Sequence, residues 1–300
     1  MLHLLILLAG TVVTSTYSAD GKNGCVTYAS AVLAKPVIYC VERTRPDLPQ
    51  ADGEAVVYYM HGVSEDHTHW VKEGYSKTLA DLRQLVSLPP VTFIAFDSAK
   101  QSYFTDRGMR RSGKDAYETW FMAEFVPKME RERKLCHSPA CRGIMGHSMG
   151  GLGALGMAFR YPGTFSTVAT NAAAIAPFNV FEGIGKWFTY FNRHPIPQYH
   201  GMALIWDTRR AFTTPENFDR HYPPTMVRDY PEGVAFPKLY FDVGGRDYYG
   251  FEEGHELFRQ ALDARGYAYH WDYYPDGKHG VRKEPERRMR SLSAVIESLR

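Results

Sequence analysis

The residues best equipped for chemistry are Gly146-His147-Ser148-Met149-Gly150, a G-x-S-x-G stretch between a short apolar run and a helix pattern poor in bulk. A serine in this spacing sits on a sharp strand-to-helix turn that lifts its hydroxyl off the sheet, ready to attack a carbonyl. The turn is tight and the helix must lie close to its strand, so small residues are needed around it. The pentapeptide alone also occurs in unrelated chains, and its setting adds the specificity. Residues 142–145 read as a strand, and 151–160 (GLGALGMAFR) read as a helix with little bulk near its start.

A serine alcohol is a poor nucleophile at neutral pH. It needs a base to take its proton, and the base needs a partner that holds its tautomer and stabilises its cation. With this kind of serine turn the three groups arrive in the chain order Ser, acid, His. The histidines after Ser148 are His194, His200, His221, His255, His270 and His279. His279, in Pro275-Asp276-Gly277-Lys278-His279-Gly280, follows the last predicted strand and precedes the last helix, in a loop that can reach the serine. His255 starts a predicted helix and His270 a strand, so both read as structural. His194, His200 and His221 fall in a segment suited to substrate contact.

For the acid, Asp247 follows the strand 238–243 and the turn Gly244-Gly245-Arg246. The carboxyl ends of strands are where ligand-facing groups gather in an open parallel sheet. Asp242 lies inside that strand and is expected to accept backbone or loop hydrogen bonds, while Asp272 and Asp276 are more distant rivals. An oxyanion needs two backbone donors. The amide of Met149 should be one, and that of Gly62 or Val63, after the first buried parallel strand, the other. His61, with Asp66, His67 and His69 nearby, has the composition of a metal site, yet a structural histidine at a strand end accounts for it. Neither a metal nor a cofactor is expected, because acyl transfer through Ser148, Asp247 and His279 needs none.

These groups have to be positioned by a scaffold. Residues 25–43 read as an antiparallel strand pair, and further strands are predicted at 55–60, 91–96, 165–175, 238–243 and 270–274. Helices are predicted at 76–85, 117–134, 254–265 and 285–299. Strands alternating with helices imply an α/β architecture, a mostly parallel sheet covered on both faces. Residues 176–236 break the rhythm, with no clear strand, many prolines, and aromatics that include Trp187, Phe188, Tyr190, Phe191 and Trp206. An irregular stretch this long is expected to be a cap inserted over the substrate pocket.

Composition agrees with one such domain. The chain has 300 residues, 44% hydrophobic and 23% charged, enough for a substantial core. The net charge is +2, and the basic pairs Arg282-Lys283 and Arg287-Arg288 are interleaved with acids, as on a solvated helix face. No nucleic-acid partner is expected. Residues 2–8 are apolar apart from His3, and small or polar residues continue to Ala19, which predicts a secretory signal peptide over 1–19 with no Lys or Arg ahead of its apolar core. That stretch is too short for a stable membrane span, which needs about 20 residues. The four cysteines permit three pairings; 25–40 and 136–141 are favoured because both close short loops, and an even count suits an exported protein.

Five segments carry a family resemblance. They are Ser30-Ala31-Val32-Leu33 with Pro36-Val37, Val57-Tyr58-Tyr59-Met60-His61-Gly62 with Trp70 downstream, Gly146-His147-Ser148-Met149-Gly150-Gly151, Phe241-Asp242-Val243-Gly244-Gly245-Arg246-Asp247, and Asp276-Gly277-Lys278-His279. In this order they resemble the esterase D-like branch of the α/β hydrolases, which includes feruloyl and acetylxylan esterases, S-formylglutathione hydrolases and mycolyltransferases. The resemblance implies the α/β-hydrolase fold and a secreted serine esterase acting on a small-molecule or carbohydrate-linked ester through an acyl-enzyme. Residues 178–234 match nothing in that pattern, so substrate identity does not carry over. The alternatives are an acyltransferase with the same triad, an S-formylglutathione hydrolase-like thioesterase, and a carbohydrate-binding module on a hydrolase fold.

Overall fold

Side chains that alternate along each strand divide the interior into two cores, one on either face of a single sheet. The computed structural model describes residues 24–106, 115–194 and 198–299. Its strands are β1 (Gly24–Ser30), β2 (Lys35–Arg43), β3 (Ala55–Met60), β4 (Val91–Phe96), β5 (Arg142–His147), β6 (Thr167–Asn171), β7 (Lys238–Gly244) and β8 (His270–Tyr274). They lie in the order β1-β2-β4-β3-β5-β6-β7-β8. β2 is antiparallel to both its neighbours, and every pairing from β4 to β8 is parallel.

On β3, Val56, Tyr58 and Met60 join one core while Val57 and Tyr59 join the other. A strand covered on both faces has to be apolar throughout, which is why AVVYYM reads as an unbroken run. Helices Tyr75–Leu85 and Pro285–Ser298 contribute Leu79, Leu82, Leu292 and Ile296 to one face. Helices Met149–Arg160 and Phe251–Arg265 cover the other face with Leu155, Phe159, Phe258 and Leu262. The predicted helix 117–134 runs as Tyr117–Thr119, a π-helical turn Trp120–Phe125 and Val126–Glu132, with Trp120, Phe121 and Phe125 all buried.

Three expectations need correction. The strand predicted over 165–175 pairs only from Thr167 to Asn171, because Ala172 turns to a left-handed φ of 45° and leads the chain over the serine turn. The helix predicted from 254 starts at Phe251, behind Gly250 at φ 69°. Arg287 and Arg288 do not lie on a solvated face; both are buried, Arg287 against Asp242 and Arg288 against the Thr78 hydroxyl and the Val281 and Arg282 carbonyls. Residues 176–236 contain the helices Ile184–Arg193, Gln198–Phe212, Pro215–Arg220 and Pro223–Arg228. Disulfides join Cys25 to Cys40, across β1 and β2, and Cys136 to Cys141. The predicted signal segment 1–19 lies outside the described residues, among which no helix is long and apolar enough to cross a membrane.

Candidate active site

β5 delivers the chain into a turn that only glycine-rich sequence can make. A Cβ on Gly146 would stand 2.2 Å from the Gly150 carbonyl oxygen, and one on Gly150 would stand 2.0 Å from that of Met60. Ser148 itself takes φ 55° and ψ −120°, a conformation that costs a non-glycine residue about 1–3 kcal/mol. Its backbone is held on three sides. The Ser148 N–H donates to the Asn171 carbonyl at 3.1 Å, and the Ser148 carbonyl accepts from Leu152 N at 3.1 Å and Ala174 N at 2.9 Å.

Above this turn two loops interlock. A Cβ on Gly244 would meet the Gly277 carbonyl at 2.2 Å, Gly245 N–H donates to the Tyr274 carbonyl, and Arg246 N–H donates to that of Gly277. This close fit brings Asp247 and His279 together over Ser148. Asp247 Oδ2 lies 2.7 Å from His279 Nδ1, and His279 Nε2 lies 2.8 Å from Ser148 Oγ. A carboxylate only accepts, so Nδ1 carries the proton and Nε2 is free to accept one from the serine. Burial opposes charge on Asp247, but the adjacent His279 and the Tyr249 N–H, which donates to Oδ1 at 2.9 Å, hold its carboxyl below the usual range. The rings of Tyr249 and Phe251 meet His279 edge-on.

Met149 begins the helix after Ser148, so its N–H has no intrahelical acceptor. Because Gly150 packs on the carbonyls of Met60 and His61, the His61-Gly62-Val63 turn lies beside the serine turn. His61 Nδ1–H donates to the Gly62 carbonyl at 2.8 Å. In a trans peptide the N–H lies opposite the C=O, so the Val63 N–H points away from His61. The remaining ring nitrogen, Nε2, accepts from Ser98 N and Oγ. His67 bonds Asp97, and His69 bonds the Tyr59 hydroxyl. The three histidines thus hold three different partners.

The rivals lie elsewhere. Asp242 accepts from Arg287, Asn171 and Ala172 N. Asp272 accepts from Tyr240, and Asp276 pairs with Arg246 at the surface. His255 is buried in its helix and donates to the Phe251 carbonyl, while His270 is exposed beside Asp272. His194 faces Glu253, and His221 sits with Glu118 and Arg160. The side chain of His200 lies outside the described ones. Three residues with no assigned role in the sequence pattern also support the site: Asn171, whose carbonyl holds Ser148 N; Arg287, whose Nη1 donates to the Lys278 carbonyl; and His147, buried beside His279. Of these, only His147 carried a local signal, its place immediately before the serine.

A serine turn at the carboxyl edge of a mostly parallel sheet, with an acid and a histidine brought over it from later loops, is the arrangement of an α/β hydrolase. Residues 43–248 match the Esterase family model, and the chain belongs to that family: it is a hydrolase that acts on esters. Solved structures share the fold. A ferulic acid esterase aligns with TM-score 0.66 at 19% identity, over 92% of this chain and 98% of its own. An S-formylglutathione hydrolase from Agrobacterium tumefaciens aligns with TM-score 0.68 at 16% identity, over 93% and 95%. A fluorophosphonate-binding serine hydrolase from Staphylococcus aureus, solved with substrate bound, gives TM-score 0.65 at 16% identity, over 93% and 98%.

Proposed function

We propose that the enzyme hydrolyses carboxylic esters through an acyl-enzyme on Ser148, with His279 as general base and Asp247 as its partner. The observation that carries the reading is the unbroken hydrogen-bonded chain Ser148 Oγ, His279 Nε2, His279 Nδ1, Asp247 Oδ2. His279 takes the serine proton as Oγ attacks the ester carbonyl. The oxyanion forms against the amides of Met149 and of Gly62 or Val63. His279 returns the proton to the departing alcohol. Water then enters, loses a proton to His279, and releases the acid. Asp247 remains ionised and stabilises the imidazolium in both halves.

Residues 176–236 act in this reading as the cap that shapes the pocket. Supporting this, Phe178, Trp187 and Tyr190 of this segment meet Tyr103, Leu152 and Phe251 around a small, nearly closed apolar cleft. Leu152 and Ala174, also on its wall, donate their amides to the Ser148 carbonyl. The two disulfides favour work outside the reducing cytoplasm.

The test is turnover of p-nitrophenyl acetate, butyrate and octanoate by the wild type and Ser148→Ala. We expect the wild type to turn over at least one ester and the folded variant to lose activity by about 10⁴-fold or more. A folded wild type no faster than Ser148→Ala on all three would overturn the proposal.

A further inference from the structure

Among the buried groups that the mechanism above leaves unused, His147 lies nearest the proposed nucleophile. His147 lies next to Ser148 at the end of β5, and its Nε2 is 2.9 Å from the backbone carbonyl of His279. A carbonyl can only accept, so Nε2 carries the proton and Nδ1 is left as a lone-pair acceptor. That Nδ1 is buried and has no hydrogen-bond partner among the described residues. Leaving such a group unpaired costs about 1–3 kcal/mol, a cost that the structural His255 also carries at Nε2; what distinguishes His147 is its place between the His279 loop and the Gly62 turn. On its Nδ1 side the ring lies against the oxyanion turn, 3.4 Å from where a Gly62 Cβ would stand. The rings of His69 and His279 flank it at 5.3 and 5.2 Å. One rigid ring therefore touches the loop that carries the base and the turn expected to supply an oxyanion donor, and it is bonded directly to the serine residue.

We infer that His147 is a positioning residue, which sets the height of His279 over Ser148 through the His279 carbonyl and spaces the Gly62 turn from it. The inference rests on the reading of His279 as the base. A second imidazole this close would repel the imidazolium formed at His279 if it were itself charged. Burial, followed by the neighbouring His279, pushes the proton affinity of His147 down to a pKa of about 3, so it stays neutral during turnover. Neutrality lets it hold the base loop without raising the energy of the charged intermediate.

The experiment compares His147→Leu, His147→Gln and His147→Asn with wild type and Ser148→Ala on p-nitrophenyl butyrate, each variant checked for fold by circular dichroism. Gln places its amide N–H near the position of Nε2 and can reach the His279 carbonyl; the shorter Asn cannot. We expect His147→Leu to lower kcat about 10- to 100-fold, the scale of a small misplacement of reacting groups, with KM within about twofold. His147→Gln should recover most of that loss. Should the Leu variant fail to fold, the amide pair decides: Gln is expected to exceed Asn in kcat by about tenfold. A folded His147→Leu with wild-type kcat, or Gln and Asn variants of equal kcat, overturns the positioning role. Activity surviving in Ser148→Ala would instead overturn the underlying reading, so the two failures are separable.

Discussion

Asp247 is the member of the hydrogen-bonded chain that must keep a charge while buried. Replacing it with Asn conserves volume but offers His279 Nδ1 a side chain that can donate, which favours the tautomer protonated on Nε2. That tautomer cannot accept the serine proton. We expect Asp247→Asn to fold and to lose about 10⁴-fold in kcat, as removal of the acid does in triads of this type. A loss below about tenfold on p-nitrophenyl butyrate would remove Asp247 from the mechanism. The sequence pointed to Ser148, Asp247 and His279 as one group because each follows an identifiable strand, and the structure brings the three within hydrogen-bond distance; their catalytic roles are the proposal made above. The contacts of His147 and Arg287 with the His279 and Lys278 carbonyls were hidden, because a backbone carbonyl leaves no mark in the residue code; only the position of His147 beside Ser148 gave a hint.

The last helix, Pro285–Ser298, is more than a cover for the sheet. Arg287 reaches from its first turn to Asp242 on β7 at 2.7 Å, both side chains almost fully buried, while its Nη1 holds the Lys278 carbonyl beside His279. Asp242 is held in turn by Asn171, whose own side-chain oxygen accepts from Tyr75. Removing one charge leaves the other buried and uncompensated, at a cost of about 3–5 kcal/mol. Asp242→Asn should therefore lower stability by about that amount in urea unfolding, whereas Asp242→Leu with Arg287→Met should lower it less. A change below about 1 kcal/mol in Asp242→Asn would show that the pair does not hold the helix. Strands buried on both faces were readable as apolar runs, and so was the parallel sheet they imply. The helices in 176–236 were not, because a segment with many prolines reads as irregular, although Pro215 and Pro223 do not interrupt their helices. Each instead occupies a first turn, where a missing N–H costs nothing.

Across the molecule, buried neutral histidines link folding to pH. Burial lowers the proton affinity of His61, His69, His147 and His255, to a pKa of about 3 for His147 and about 4 for His255. Unfolding returns each to about 6.5, so between that value and its folded pKa the unfolded chain binds the extra proton. Stability must then fall as pH drops below about 6.5, by up to about 1.4 kcal/mol per pH unit for each histidine. His67 works the other way. Burial opposes its charge, but the bond to Asp97 raises its affinity, so its contribution is present in acid and lost as pH rises. Among the described residues four such histidines oppose His67 and the carboxyls of Glu73, Asp242 and Glu252, which burial raises; the urea midpoint should fall from pH 7 to pH 5, and a flat or rising profile would contradict this account. The tie between Arg287 and the Lys278 carbonyl also has a bearing on synthesis. Ser148 leaves the ribosome long before His279, and His279 before the guanidinium that anchors its loop. If these residues act as proposed, a growing chain carries its nucleophile without a seated base, and translation delivers a working esterase only once the final helix has emerged and docked.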